Sequence, residues 1–185
     1  RGKAPYVQHK FPAKAIKAIA DKHRAGSQAN KNRRREARDF EADYKNATHF
    51  SREGWIGIPA SAFRNAMISA CRVIGFKMTL AKLCLFIEPD GFDATEGSPL
   101  VRIIGKPRVH EGYVRNATGV VDLRWRPMWE KWEAKVKVTW DAGQFSVQDV
   151  VNLMARVGLQ VGIGEGRPDS KDSNGIGWGH FEVVS

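Results

Sequence analysis

The chain has 185 residues and a net charge of +10, and 42% of its residues are apolar. This length and composition are typical of one globular domain over residues 1–185, and no apolar run approaches the roughly 18 residues that cross a bilayer. We therefore expect neither a membrane protein nor a secreted one. A cytoplasmic location is the expectation, because no apolar stretch follows the first basic residues.

The positive charge is concentrated at the start of the chain. Residues 1–50 hold 13 Lys and Arg against 5 Asp and Glu, whereas residues 51–185 are close to neutral. Such an asymmetry favours a polyanionic partner, most often nucleic acid. The alternative is a basic surface that only keeps the chain in solution.

In chain order, residues 4–11 are typical of a short strand, and residues 13–24 have the apolar spacing of a helix. The polar stretch that follows predicts a mobile basic insertion over residues 25–50, helical in part from about residue 33 to residue 44. Its densest charge lies in the run KNRRR, which contributes four cations: Lys31, Arg33, Arg34 and Arg35.

A helix is predicted after Pro59, because apolar residues recur at helical spacing until Gly75 ends the pattern. The opposite face of this helix is polar and comprises Arg64, Asn65, Ser69 and Arg72.

The second half of the chain predicts mainly strands. Residues 80–92 indicate a strand that ends in a turn, and residues 100–115 indicate one or two short strands. Alternation over residues 131–140 predicts a strand with one wet face. A helix follows, with Ser146 as its N-cap and Gly158 as its end, and residues 179–184 predict a last strand.

Without the insertion, the order is strand, helix, strand, strand, helix, strand. This is the order of the ferredoxin-like or RRM-like fold, an α+β architecture with two helices on one face of an antiparallel sheet. The basic insertion would then be an arm between the first strand and the first helix.

The glycine-rich stretch from Gly158 to Gly179 does not fit a nucleotide-binding motif. Its first half reads G-x-G-x-G and leads into Arg167-Pro168, so the helix start that would hold a pyrophosphate is missing. Glycines at alternate positions 175, 177 and 179 predict a strand with a bare face. Nearby cations and aromatic rings indicate a loop that binds phosphates and bases: Arg167, Lys171, Trp178 and His180.

A second cluster of aromatic and basic residues is LRWRPMWEKW, residues 123–132. Trp132, like Trp140 further on, is interpreted as core. Trp125 and Trp129, with Arg124 and Arg126 beside them, are left open between base stacking, a subunit contact and core packing.

Two motifs resemble the RAMP superfamily, the repeat-associated RNA-binding proteins of CRISPR effector complexes. One opens the helix after residue 57, and the other is the glycine-rich loop before the last strand. The matching residues are Ile58, Pro59, Ser61, Phe63, Arg64, Gly162, Gly164, Gly166, Arg167, Gly175, Gly177 and Gly179. The resemblance covers about residues 54–185 and fits either a Cascade-type backbone subunit or a solitary, phage-borne relative.

The resemblance implies an RRM-like domain that holds single-stranded RNA or DNA, RNA before DNA, along its backbone. It also implies copies of the chain stacked along the strand, with other effector subunits as further partners. Residues 31–35 would neutralise phosphates from a thumb-like arm. Arg64 and Arg72 would line the first helix, and the glycine-loop residues would grip backbone or base.

Two other functions stay open. One is a metal-independent endoribonuclease with His9 or His49 as general base, although we assign no catalytic residue, metal or cofactor. The other is an assembly protein whose basic arm docks an acidic partner.

Overall fold

The described chain consists of helices and antiparallel strands and has a mixed α+β fold. The structure is a computed structural model that describes residues 1–10, 24, 39–115, 121–170 and 175–184. Residues 13–23 of the predicted helix at 13–24 and residues 25–38 of the predicted insertion at 25–50, with its cations at 31–35, lie outside these ranges. Lys171 lies outside them as well.

Nine strands are described: β1 Tyr6–Val7, β2 Gly57–Pro59, β3 Leu85–Glu88, β4 Gly91–Phe92, β5 Pro99–Ile104, β6 Arg108–Arg115, β7 Val121–Trp129, β8 Glu133–Ala134 and β9 Lys137–Trp140. The described helices are α1 Phe40–Asn46, α2 Ala60–Val73, α3 Met78–Cys84 and α4 Val147–Arg156, and α4 runs into a π-helical turn at Val157–Val161.

The strands form three antiparallel sheets. One has the order β1–β7–β6, a second has β2–β5–β4 with β8 also on β5, and the third pairs β3 with β9. The longest pairing is the β6–β7 ribbon, in which Arg108 lies opposite Met128 and Arg115 lies opposite Val121. This ribbon and α2 form two walls of the candidate site.

The core lies between α2, α4 and the strands. Five residues of the predicted apolar face of α2 are buried there: Phe63, Ala66, Met67, Ala70 and Cys71. Gly75 ends the helix region with a φ of 73°, as predicted from its sequence position. The helix after Pro59 is therefore confirmed.

The helix α4 begins as predicted. The Ser146 side chain accepts from the backbone N–H of Asp149, whose carboxylate accepts from the backbone N–H of Ser146 in return. Its end differs from the prediction, because a π-helical turn continues through Gly158. At Gly158 a Cβ atom would overlap the carbonyl oxygen of Phe181, so this glycine permits a close approach of backbones.

Several predicted strands differ in the structure. Residues 78–84 are helical, and strand β3 begins only at Leu85. The predicted strand over 131–140 keeps its alternation of burial but divides between β8, on β5, and β9, on β3. At the C-terminal end of the described chain, residues 179–184 make an isolated bridge between Phe181 and Gly2 and no regular strand.

Candidate functional site

A cleft of about 830 Å³ lies between the N-terminal strand, α2, β7 and the glycine-rich loop. Its titratable and charged lining comes from the chain beside the N-terminal strand, from β7, from the glycine-rich loop and from the segment before β2: His9, His49, Arg124, Arg126, Glu165, Arg167 and Asp169. From α2 it also receives Asn65 and Ser69, two residues of the predicted polar face.

Arg64 does not line this cleft. Its guanidinium donates to the carbonyl oxygens of Leu85, at 2.9 Å, and of Lys82, at 2.5 Å. It also lies over the ring of Phe86, 5.2 Å from the ring centre. Because its described contacts satisfy carbonyls at the end of α3, the side chain holds α3 against α2.

Arg72 and Ser69 bind the far end of the glycine-rich loop. Arg72 Nη2 lies 2.6 Å from Asp169 Oδ1, and the Ser69 hydroxyl donates to the other carboxylate oxygen. The hydrogen bond from Ser69 leads the causes that lower the pKa of Asp169, and Arg72 adds to it against the opposing effect of burial. The predicted binding residue Arg72 is thus paired within the protein.

The first glycines of the loop shape the wall of the cleft. Gly162, Gly164 and Gly166 have φ values of 70°, 78° and 74°. A Cβ atom on Gly164 would lie 2.6 Å from the Tyr6 ring, so the loop packs tightly on β1. Arg167 Nη1 donates to the Gly164 carbonyl oxygen at 2.8 Å, which places its guanidinium along the loop.

The prediction of a strand with a bare face at residues 175–179 is wrong. Gly175, Gly177 and Gly179 have φ values of 63°, 87° and 73°, which belong to turns and not to a strand. At Gly179 a Cβ atom would overlap the carbonyl of Ile163, and its N–H donates to the Pro5 carbonyl at 2.7 Å. The bare backbone at Gly179 therefore packs against the protein itself.

Trp178 and His180 flank Gly179 without lining the cleft. Trp178 packs on Gly166 and meets the edge of the His110 ring at 5.1 Å between centroids. The backbone carbonyl of His180 accepts from Lys3 and Ala4, at 2.9 and 3.2 Å. Of the predicted loop residues, Arg167 alone lines the cleft, within the part of the chain that the structure describes.

Two arginines of β7 line the cleft although they were not among the predicted binding residues. Arg124 and Arg126 are two positions apart on a strand, which puts both on the same face. The spacing R-x-R within LRWRPMW was the signal that could have identified them. The tryptophans of that stretch are structural: Trp129 is fully buried, and Trp125 stacks on Phe40 of α1 at 5.1 Å.

Each of these arginines has an acidic partner. Arg124 Nη2 lies 2.7 Å from Asp122 Oδ2, and Arg126 forms an ion pair with Glu165 of the glycine-rich loop. Burial, reinforced by the charge of Arg124, lowers the pKa of Arg126 to about 10. Arg126 still carries its charge at neutral pH, at a position where only 6% of its surface is exposed.

A buried polar network lies behind the cleft. Asp93 accepts from Lys10 Nζ at 2.7 Å and contacts the ring atom Nδ1 of His49 at 2.9 Å. The backbone N–H of His49 donates to Gln8 Oε1 at 2.8 Å. Burial acts to raise the pKa of Asp93, but the hydrogen bonds from Lys10, His49 and the backbone of Glu96 outweigh it and lower the pKa.

Both histidines of the cleft favour the neutral form. Burial lowers the pKa of His49, and the hydrogen bond to Asp93 opposes this only in part. His9 keeps much of its surface accessible, yet the ring lies within a concave site among cations. Burial and then repulsion from Arg126 and Arg124 lower the pKa of His9 to about 4.

No family model matches this chain, no curated protein matches its sequence, and no solved structure matches its fold. Within the described ranges, no helix is long and apolar enough to cross a membrane. The same ranges contain no group of three His, Cys, Asp or Glu side chains arranged to hold a metal ion.

Proposed function

We propose that the protein binds single-stranded nucleic acid, RNA before DNA, and that the cleft holds its phosphate backbone. The observation that carries this proposal is the convergence of Arg124, Arg126 and Arg167 on one cleft from two separate elements. Guanidinium groups match the geometry of phosphate oxygens, and phosphate contacts dominate affinity for polynucleotides. The net charge of +8 in residues 1–50 supports the same partner.

A RAMP-like relationship and its RRM-like fold are part of the proposal. Backbone hydrogen bonds join residue 181 to residue 2, residues 2–8 to residues 127–132, and residues 133–134 to β5. In chain order the four segments are residues 2–8, β5, residues 127–134 and residue 181. Their order in space is fourth, first, third, second, and neighbouring segments run antiparallel. Ferredoxin-like sheets have that order, and α2 and α4 share one core beside it.

We further propose that copies of the chain assemble along the strand, with other effector subunits as additional partners. The face of the β6–β7 ribbon that bears neither Arg124 nor Arg126 supports this, because four apolar side chains on it are exposed: Val109, Tyr113, Val121 and Leu123. An exposed apolar patch is typical of a protein contact surface. Light scattering with and without a 40-nucleotide RNA tests it, and a monomer under both conditions contradicts it.

The binding test is fluorescence anisotropy with labelled 20-nucleotide RNA and DNA over a range of salt concentrations. Arg124→Gln and Arg126→Gln should each weaken binding, and each lost phosphate contact should reduce the logarithmic salt slope by about 1. Arg102→Gln is the matched control, because Arg102 lies on β5 and does not line the cleft. Binding that is absent at low salt, or that ignores both cleft variants, contradicts the proposal.

A metal-independent endoribonuclease is the second candidate, because His49, oriented by Asp93, and His9 line the same cleft as the arginines. With Nδ1 donating to Asp93, the neutral His49 ring has Nε2 as a proton acceptor. A neutral imidazole can remove the proton of a ribose 2′-hydroxyl, whose oxygen then attacks the adjacent phosphorus. The bond from phosphorus to the 5′-oxygen breaks, and that oxygen takes a proton from water.

Incubation of RNA with the protein in chelator tests this candidate. It predicts fragments that end in a 2′,3′-cyclic phosphate, no cleavage of DNA, and loss of cleavage in His49→Gln, which removes the general base. Intact RNA after long incubation rejects it. An assembly protein without nucleic acid is the outcome if purified material absorbs as protein alone at 260 and 280 nm and no strand binds.

A further inference from the structure

Glu165 is an acidic residue placed where the proposed function would call for an open cationic site. Its carboxylate lines the cleft and pairs with Arg126, and 29% of its side chain is exposed. A carboxylate on a polynucleotide groove repels phosphates. Its position therefore requires a reason that the binding proposal alone does not give.

Arg126 supplies that reason. The side chain is buried and charged, and a buried charge without a partner is strongly destabilising. In the unbound protein Glu165 is the carboxylate in direct contact with Arg126, and Asp122 and Asp43 attract it from further away. A phosphodiester group carries the same charge and offers the same paired oxygens to a guanidinium, so the two anions would occupy the same position.

We propose that Glu165 is an internal competitor for the phosphate at Arg126, and that it leaves this arginine when a strand enters the cleft. The inference rests on the proposed function and deepens it, since it states how the site is regulated before binding. Because the carboxylate of Glu165 occupies the position at Arg126, a small anion must displace it and therefore binds weakly.

The backbone around Glu165 is held, so the exchange needs only a rotation of its side chain. Glu165 N–H donates to the Val7 carbonyl at 3.0 Å, and Arg167 holds the Gly164 carbonyl. On the other side, the Gly166 carbonyl accepts from Gly177 and Trp178, both at 3.2 Å. Released from Arg126, the carboxylate is already partly in contact with solvent.

Asp169, the other carboxylate that the structure describes in the loop, has different partners. Asp169 accepts from both Ser69 and Arg72, and it joins the loop to α2. A phosphate that displaced Asp169 would also release that contact between two elements. Glu165 is therefore the better candidate for exchange, since its removal leaves the backbone contacts in place.

The experiment compares the wild-type chain, Glu165→Gln and the control Glu182→Gln for binding of a labelled 20-nucleotide RNA. Glu182 also pairs with an arginine, Arg1, and has 30% of its side chain exposed, but it does not line the cleft. Glu165→Gln should bind about fivefold more tightly at 100 mM salt, because the competing charge is gone. Glu182→Gln should change affinity less than about twofold.

The double variant Arg126→Gln/Glu165→Gln separates competition from a general gain in positive charge. Relative to Arg126→Gln alone, the added Glu165→Gln should then give less than about a twofold gain, since the contested arginine is absent. Melting curves identify any variant that does not fold, and Glu165→Asp, which keeps the charge on a shorter side chain, then replaces Glu165→Gln with an expected smaller gain.

The outcomes separate this inference from the function on which it rests. If the wild type binds and Glu165→Gln binds equally or more weakly, competition is overturned and the binding function stands. If neither binds at low salt, both fall. If the wild type binds at low salt and Glu165→Gln binds more tightly at 100 mM salt, both are supported.

Discussion

Two ion pairs flank the cleft and differ in what surrounds them. Lys10 and Asp93 are closed off, with 8% and 0% of their side chains exposed, and Asp93 accepts further hydrogen bonds from His49 and two backbone N–H groups. Arg126 and Glu165 form a pair that opens on the cleft through Glu165. The first pair joins segments 83 positions apart, whereas the second can exchange its anion without undoing the fold.

The largest expected effect is at the closed pair. Asp93→Asn leaves Lys10 buried without a counter-charge, so we expect a loss of about 3–5 kcal/mol in the free energy of unfolding. Asp90→Asn is the control, because Asp90 binds Lys137 near the surface at 3.3 Å and should cost less than about 1 kcal/mol. Urea titrations measure both, and equal losses would remove the distinction between a closed pair and a surface pair.

Acid should destabilise the buried polar network around Asp93. The pKa of His49 is lowered from 6.5, so the unfolded chain takes up the proton first, and stability is complete above pH 6.5 and falls below it. Asp93 acts in the same direction further down, because its lowered pKa contributes stability that is present above pH 3.8 and lost below it. His49→Gln should flatten the loss between pH 7 and pH 5 in urea titrations, and an unchanged slope would exclude His49 as its source.

The open pair should matter less for stability. Glu165→Gln should cost less than Asp93→Asn, about 1–3 kcal/mol, because Arg126 loses its paired counter-charge but keeps the amide oxygen and the attraction of Asp122 and Asp43. The same urea titrations check this. A loss as large as that of Asp93→Asn would show that both pairs serve the fold.

The smallest effect is expected at Arg124. Its side chain and that of Asp122 are 30% and 24% exposed, so Arg124→Gln should change the free energy of unfolding by no more than about 0.5 kcal/mol. Binding of RNA should nevertheless weaken. If Arg124→Gln loses both stability and affinity, Arg124 is needed for the fold, as Asp93 is.

The parts predicted well from sequence are those with local causes. The apolar spacing of α2 and the capping residues of α4 act within a few positions, and the alternation at 131–140 follows from a two-residue period. The glycines at 175–179 show where this reasoning fails. Alternation of residues with no side chain has no preferred face, and all three glycines have positive φ values. Gly179 packs against Pro5 and Ile163, whereas a Cβ atom on Gly175 would meet nothing within 4 Å.

The candidate site could be predicted only in part, because its contacts are long-range. Arg167 is predicted from the glycine-rich loop, but its place in the same cleft as Arg126 depends on β1, which pairs with β7 and accepts from the loop at Glu165 N–H. Nothing near Lys10 in the sequence indicates Asp93 as its partner. Arg64 was expected at a ligand and instead binds carbonyls of α3, a helix that the sequence pattern did not predict.

The π-helical turn at Val157–Val161 sets the direction in which the chain leaves α4. A π-helical turn holds one more residue than an α-helical turn, so it acts as a one-residue insertion within the helix. Each residue of an α-helix accounts for a rotation of about 100°. Deleting one residue of this turn should therefore swing Ile163 out of the core and Glu165 away from Arg126, while α4 itself stays in register.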